Sequence, residues 1–192
     1  MKRGFRPSIS YTLWPMWLDT HHLKLIPCTP EHLLGLMRHP EDFAELTGFP
    51  AAEGLRDFFV SGEVSPEWLA QLEQSSGPDP WRYGFFVLGR ESGTAIGTAG
   101  FKAPPAAGVV EIAYGIVPAF EGKGYATEAA GALVEFAFDS GEVRVVRAHT
   151  LPERNASTRV LEKSGFRLLG EVVDPEDGPV WRWESRLVTH DS

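Results

Sequence analysis

Read for its hydrophobic period, the chain alternates short strand-like runs with amphipathic stretches. LKLI, Leu23 to Ile26, reads as a short strand, and Thr29-Pro30-Glu31 then opens a helix carrying Leu33, Leu34, Leu36 and Met37. Pro30 suits the first helical turn, where its missing N–H would have had no partner. From Thr47 to Pro80 the pattern is broken by Gly48, Pro50, Gly54, Gly62, Pro66, Gly77, Pro78 and Pro80. This predicts loop-rich territory with short helices near Gly54 to Phe59 and Pro66 to Gln74, and FFV in its middle predicts some inward packing. Three runs follow, YGFFVLGR, TAIGTAGFK and VVEIAYGIV, separated by ESG and PPAAG, which read as an antiparallel meander.

A helix then spans about Gly124 to Asp139, with Ala126, Ala129, Ala130, Leu133, Phe136 and Ala137 as its apolar face and a stop near Gly141. A strand, VRVVRAHTL, precedes a short helix in NASTRVLEKSGF closed by Gly165. Two last strands, FRLLGEVV and VWRWESRLV, are joined by a turn through DPEDGP. The order β, α, α, three β, α, β, α, β, β defines a mixed α/β (α+β) fold, a sheet with helices packed on it.

With 192 residues, 43% of them apolar, the chain suits one domain over 1–192, its core at about 20–188 behind an N-terminal extension over 1–19. The 18 basic and 26 acidic residues give a net charge of -8, which argues against a phosphate-tracking nucleic-acid protein; it fits either cationic partners or plain solubility. Cys28 is the single cysteine, so no internal disulfide or thiolate cluster is possible, and a reducing, cytoplasmic setting is expected. Pro7, Ser8, Ser10 and Thr12 break the opening before any signal-peptide-like apolar run. No stretch approaches the roughly 20 apolar residues that span a bilayer, so no membrane role is expected. The six histidines show no ligand spacing, and no metal is expected.

Candidate chemistry begins at EGKGYATEAA, Glu121 to Ala130, which follows the strand-like EIAYGIV where a helix is predicted to start. Helix starts present unpaired N–H groups and a partial positive charge, which suits a diphosphate, and Gly122 and Gly124 keep side chains out of its way. Taken alone, such a Gly-rich strand-to-helix connection is more often plain turn chemistry than an anion site. A nucleotide-triphosphate loop is excluded, because Gly124 replaces the required Ser or Thr after Lys123 and no glycine precedes at the right spacing. The three-glycine dinucleotide fingerprint is absent too.

The element order, EIAYGIVPAFEGKGYATEAA and the later NASTRVLEKSGF together resemble the GNAT N-acetyltransferases, most of all the branch containing the ribosomal-protein N-terminal acetyltransferases. The resemblance covers roughly Leu23 to Val188 and implies acetyl-CoA as co-substrate, with its pyrophosphate on Gly122, Lys123, Gly124, Tyr125, Ala126 and Thr127. It implies that the strands matching EIAYGIV and VRVVRAHTL splay apart and that the pantetheine arm pairs with main chain at Ile116 and Val117. Asn155 matches a family asparagine that hydrogen-bonds the cofactor, with Arg154 as the alternative in that slot, and Ser157 matches the serine favoured as proton donor. Two positions depart from the family pattern: Leu161 stands where many members carry a tyrosine acid, and Glu121 stands where Gln or Arg is usual. Either Glu121 faces solvent and Lys123 supplies positive charge, or Lys123 is simply a solvated surface lysine.

Acetyl transfer to an amine needs a neutral nucleophile, a polarised thioester and a proton for the leaving thiolate. A free α-amine, with a pKa of about 7.7–8.0, is far more often neutral than a lysine at about 10.4. Glu111 shares a strand face with Ala113, Gly115 and Val117 and is the first candidate base, or else a solvated carboxylate at a strand start. Asn155 and Ser157 are equally good helix caps. His149 is a second acid–base candidate or a packed residue, and Trp181 with Trp183 reads as core. The predicted activity is an acetyl-CoA-dependent N-acetyltransferase acting on a primary amine, a protein N-terminus or a small molecule, by direct attack, from a monomer or homodimer. The alternative is a non-catalytic acyl-CoA-binding or regulatory module on the same fold.

Overall fold

The computed structural model describes residues 17–61 and 65–188. Most of the N-terminal extension, and Gly62, therefore lie outside the described residues. Eight strands form one sheet: β1 (Leu18–Asp19), β2 (Leu23–Pro27), β3 (Phe85–Gly89), β4 (Ala95–Phe101), β5 (Val109–Ile116), β6 (Val145–Thr150), β7 (Arg167–Asp174) and β8 (Gly178–Arg186). Their spatial order is β1-β2-β3-β4-β5-β6-β8-β7. Every neighbouring pair is antiparallel except β5 and β6.

The helices follow the expected signals, with additions. In α1 (Pro30–Arg38) the Thr29 side chain accepts from the His32 N–H, and Leu33, Leu36 and Met37 are buried. A short α2 (Phe43–Thr47) was not foreseen; it buries Phe43. The loop-rich stretch carries α3 (Asp57–Val60), and α4 (Pro66–Gln74) is capped by Ser65. A further α5 (Pro80–Tyr83) ends on Tyr83, the residue read as the first of a strand. Here Asp79 caps the Trp81 N–H and Gly84, at φ +65°, closes the turn, so β3 begins only at Phe85. Then come α6 (Tyr125–Asp139) and α7 (Ala156–Lys163).

Both faces of the sheet are covered. Phe136 of α6 packs against Trp81, Phe85 and Phe101, with ring centroids 5.0, 5.4 and 5.9 Å away. On the other face Phe86 meets Phe43, Phe49 and Phe59 edge-on at 5.4, 6.2 and 6.2 Å. Pairs of this kind add about 0.5–1.5 kcal/mol each beyond area burial. Trp183 is 1% exposed and donates its indole N–H to Thr150 Oγ1 at 3.1 Å, while Trp181 packs against the core, as expected for that strand face.

One feature of the ladder creates the site. Parallel pairing of β5 with β6 ends at Glu111 and Arg147. Beyond it β5 keeps only β4 and β6 keeps only β8, so the two strands part as a fork.

Candidate active site at the strand fork

Along β5 the main-chain groups alternate in direction. Glu111 C=O accepts from Lys102 and Val117 N–H donates to Ile96, so the odd-numbered residues bond toward β4. The main-chain groups of Tyr114 and Ile116 consequently turn toward the open side of the fork, an edge ready to pair with an extended ligand. Val117 does not share this freedom. Its N–H is bound to Ile96 and its C=O accepts from Phe120 at 2.9 Å, because the Pro118–Phe120 turn folds back on it. The geometry therefore favours Ile116 and weighs against Val117.

The open edge leads to the start of α6. Gly122 and Gly124 have φ of +74° and +82°, and a Cβ at either would meet nothing within 4 Å. No side chain caps this helix, so the N–H groups of Tyr125, Ala126 and Thr127 face outward beneath the glycine turn. This arrangement fits an anionic group, by geometry and by helix dipole. Glu121 is exposed, and its N–H donates to Pro118 C=O at 3.3 Å. The Lys123 ammonium lies 5.3 Å over the Phe120 ring and lines, with Glu91 and Ser92 of the β3–β4 connection, a cavity of about 360 Å³.

At the closed end of the fork, four side chains form a row across adjacent strands. Glu111 Oε1 accepts from Lys102 Nζ at 2.8 Å and meets His149 Nδ1 at 3.0 Å, while Arg182 Nε donates to His149 Nε2 at 3.2 Å. A guanidinium can only donate, so Nε2 accepts and the ring proton is assigned to Nδ1, pointing at Glu111. The His149 ring is 8% exposed and Glu111 22%. Among the described residues no side chain donates to Glu111 Oε2. Burial lowers the pKa of the Lys102 ammonium, but the hydrogen bond and charge of Glu111, with Asp177 and Asp174 nearby, outweigh it and hold the pKa above the ordinary value. Tyr114, on the alternate face of β5, has its phenol pushed well above the usual range by burial.

On the far leg, α7 starts differently. Asn155 Oδ1 accepts from the Thr158 N–H at 3.1 Å and Thr158 Oγ1 accepts from the Asn155 N–H at 3.0 Å, a reciprocal cap. The Asn155 oxygen is thus engaged in capping. Ser157 is exposed, and none of the described groups hydrogen-bonds its hydroxyl. Arg154 pairs with Glu162 on the surface.

Of the row partners of Glu111, His149 was a candidate from the sequence, while Lys102 and Arg182 were not. Lys102 was findable, since the meander puts it opposite Glu111; Arg182 was not, because it reaches His149 only through the insertion of β8 between β6 and β7.

The family model of the acetyltransferase (GNAT) domain matches residues 22–167, and the chain belongs to that family. An uncharacterized N-acetyltransferase p20 from Bacillus licheniformis is 31% identical over 93 residues, 48% of this chain; the match spans about half (52%) of that relative. The fold is that of the ribosomal-protein-S5-alanine acetyltransferase from Vibrio fischeri, with a TM-score of 0.60, 15% identity, and coverage of 88% of this chain and 96% of that one. It is similarly close to AAC(6')-Ib in complex with ribostamycin and coenzyme A, with a TM-score of 0.58, 22% identity, and coverage of 86% and 94%. No helix among the described residues is long and apolar enough to cross a membrane.

Proposed function

We propose that the protein moves an acetyl group from acetyl-CoA to a primary amine by direct attack on the thioester. The observation that carries this is the fork: an open main-chain edge at Tyr114 and Ile116 runs into an uncapped, glycine-led helix start, with a carboxylate at its closed end. The coenzyme A bound to AAC(6')-Ib supports that ligand for the same fold. The pantetheine arm pairs at Ile116, and the pyrophosphate takes the N–H groups from Gly122 to Thr127, while Lys123 adds charge at longer range. Asn155 acts mainly as a cap and only borders the cofactor.

In the reaction the amine lone pair forms an N–C bond at the carbonyl carbon, and the C–S bond then breaks. Glu111, or a water held on its Oε2, takes the proton that the new amide sheds. Ser157, exposed to solvent, gives its proton to the departing thiolate and takes one back from water. Lys102 and His149 fix Glu111, and Arg182 fixes the His149 tautomer.

The test is titration with acetyl-CoA, followed by an amine panel with free thiol as readout. Micromolar binding and thiol release with at least one amine are expected, and Glu111→Gln is expected to lower kcat about 100-fold while acetyl-CoA affinity holds. Binding without turnover on any amine would replace this reading by the non-catalytic acyl-CoA module. Absence of binding would sink both.

A further inference from the structure

A cavity of about 610 Å³ opens on the face of the sheet opposite α6, between α3, the start of α4 and the strands β4 and β5. That volume is typical of small-molecule sites. Its floor is nearly bare of side chains: Thr98 and Gly100 from β4, Ala113 and Gly115 from β5. Phe58 lies directly on that floor, since a Cβ at Gly115 would come within 2.8 Å of its ring. Yet Phe58 remains 39% exposed, and Trp68 stands beside the same opening. The floor leads to the catalytic row, because Gly115, Ala113 and Glu111 share one face of β5. Four residues of strand cover about 13 Å, a span shared between an extended Glu111 side chain and an incoming arylalkylamine.

The charges on the wall narrow the choice further. Glu176, from the turn between β7 and β8, is the carboxylate lining this cavity, and Arg82 lines it too. Glu111 is already shared between Lys102 and His149. A polycation entering here would find one lining carboxylate, Glu176, for its several ammonium groups, with the Arg82 guanidinium also on the lining. Resting on the acetyltransfer reading above, we infer that the acceptor is a primary monoamine borne on an aromatic or similarly broad apolar body, its ring against Phe58 and Trp68 and its nitrogen toward Glu111. The same chemistry is offered by a free arylalkylamine and by a peptide whose first residue is aromatic.

The experiment uses the whole protein with four acceptors: phenethylamine, a hexapeptide beginning with Phe, spermidine and kanamycin. Calorimetry on the complex with CoA reads acceptor binding independently of chemistry, and thiol release from acetyl-CoA reads turnover. The expected result is a kcat/KM at least tenfold higher for phenethylamine or the peptide than for either polycation, the better of the two identifying the source. Phe58→Ala should raise the aromatic acceptor's KM at least tenfold, more than it changes kcat, and Phe58→Leu should restore part of that loss. A preference for the polycations, no calorimetric binding of either aromatic amine, or an unmoved KM in Phe58→Ala overturns the assignment. Calorimetric binding of the aromatic amine with no thiol release from any acceptor supports the aromatic site and sinks the transfer reaction instead.

Discussion

The helices α6 and α7 both start just past the carboxyl ends of the fork's two strands, yet their first turns are built in opposite ways. α7 satisfies itself: Asn155 and Thr158 exchange two hydrogen bonds, and the turn needs nothing from outside. α6 leaves its first N–H groups without a side-chain partner beneath two left-handed glycines that open onto free space. Capping is worth about 1 kcal/mol, and a helix start that forgoes it keeps its N–H groups available to an outside anion. The motif resemblance named both helices as cofactor contacts. The caps divide them, which is why we propose the anion for α6 and leave α7 with positioning and a single free hydroxyl.

The sharpest way to break this contrast is to close the open end. Gly124→Val puts a β-branched residue at φ +82°, a conformation costing about 1–2 kcal/mol without glycine, and fills the space above the N–H groups. Acetyl-CoA affinity is expected to fall about 30-fold by calorimetry, with a far smaller change in Tm than a core substitution would give. An unchanged affinity would remove α6 as the anion site.

A carboxylate in its first turn anchors α6 to the sheet edge, and α7 has no counterpart. Glu128 accepts from the Thr20 hydroxyl, from the His22 N–H at 2.6 Å and from His22 Nδ1 at 2.9 Å. Burial raises its pKa, but these bonds outweigh burial and the net shift is downward from the ordinary 4.5. A carboxyl depressed in the folded state contributes stability that is full above its unfolded pKa and is lost as pH falls toward the folded one. Glu128→Gln is therefore expected to cost about 1.5 kcal/mol at pH 7, read by urea unfolding, and the difference from wild type should shrink below about pH 4.5. A difference independent of pH down to 3 would mean the charge contributes nothing.

Two variants of α7 separate chemistry from capping. Ser157→Ala should reduce kcat about tenfold with acetyl-CoA affinity and Tm unchanged; the effect is at the low end for proton transfer because a thiolate leaves readily. Asn155→Ala should do the reverse, lowering stability by about 1 kcal/mol while the affinity stays within twofold. If Asn155→Ala weakens acetyl-CoA binding tenfold at unchanged stability, the family role holds and the cap is incidental.

Much of this fold could be read from the chain because the signals were local. Ser65-Pro66 marked the start of α4 and Thr29-Pro30 that of α1, since a cap and a first-turn proline act within one turn. Asp79-Pro80 carried the same signal for α5, but the apolar run YGFFV beside it read as strand from its first residue. What stayed hidden depended on distant placement. Arg182 reaches His149 only because β8, last in sequence, lies against β6, and Val117 loses its free main chain only because the Pro118–Phe120 turn curls back. Residue type and spacing cannot supply such facts, because they follow from the order in which strands insert.

The smallest effect is expected at the residue that departs most visibly from the family motif. Glu121 precedes the anion loop, where a buried carboxylate would repel a diphosphate strongly. It is exposed, however, and only its N–H is tied down, to Pro118, which leaves the carboxylate free to turn into water. In solvent a unit charge several ångströms away contributes well under about 1 kcal/mol, and at physiological salt the Debye length of about 8 Å screens it further. Glu121→Gln should accordingly tighten acetyl-CoA binding by no more than about twofold at 0.15 M salt, with a somewhat larger gain at 0.01 M. A tenfold gain at both salt concentrations would mean that the carboxylate faces the pyrophosphate in a desolvated position, and the open end of α6 would then be a weakened anion site that Lys123 has to rescue.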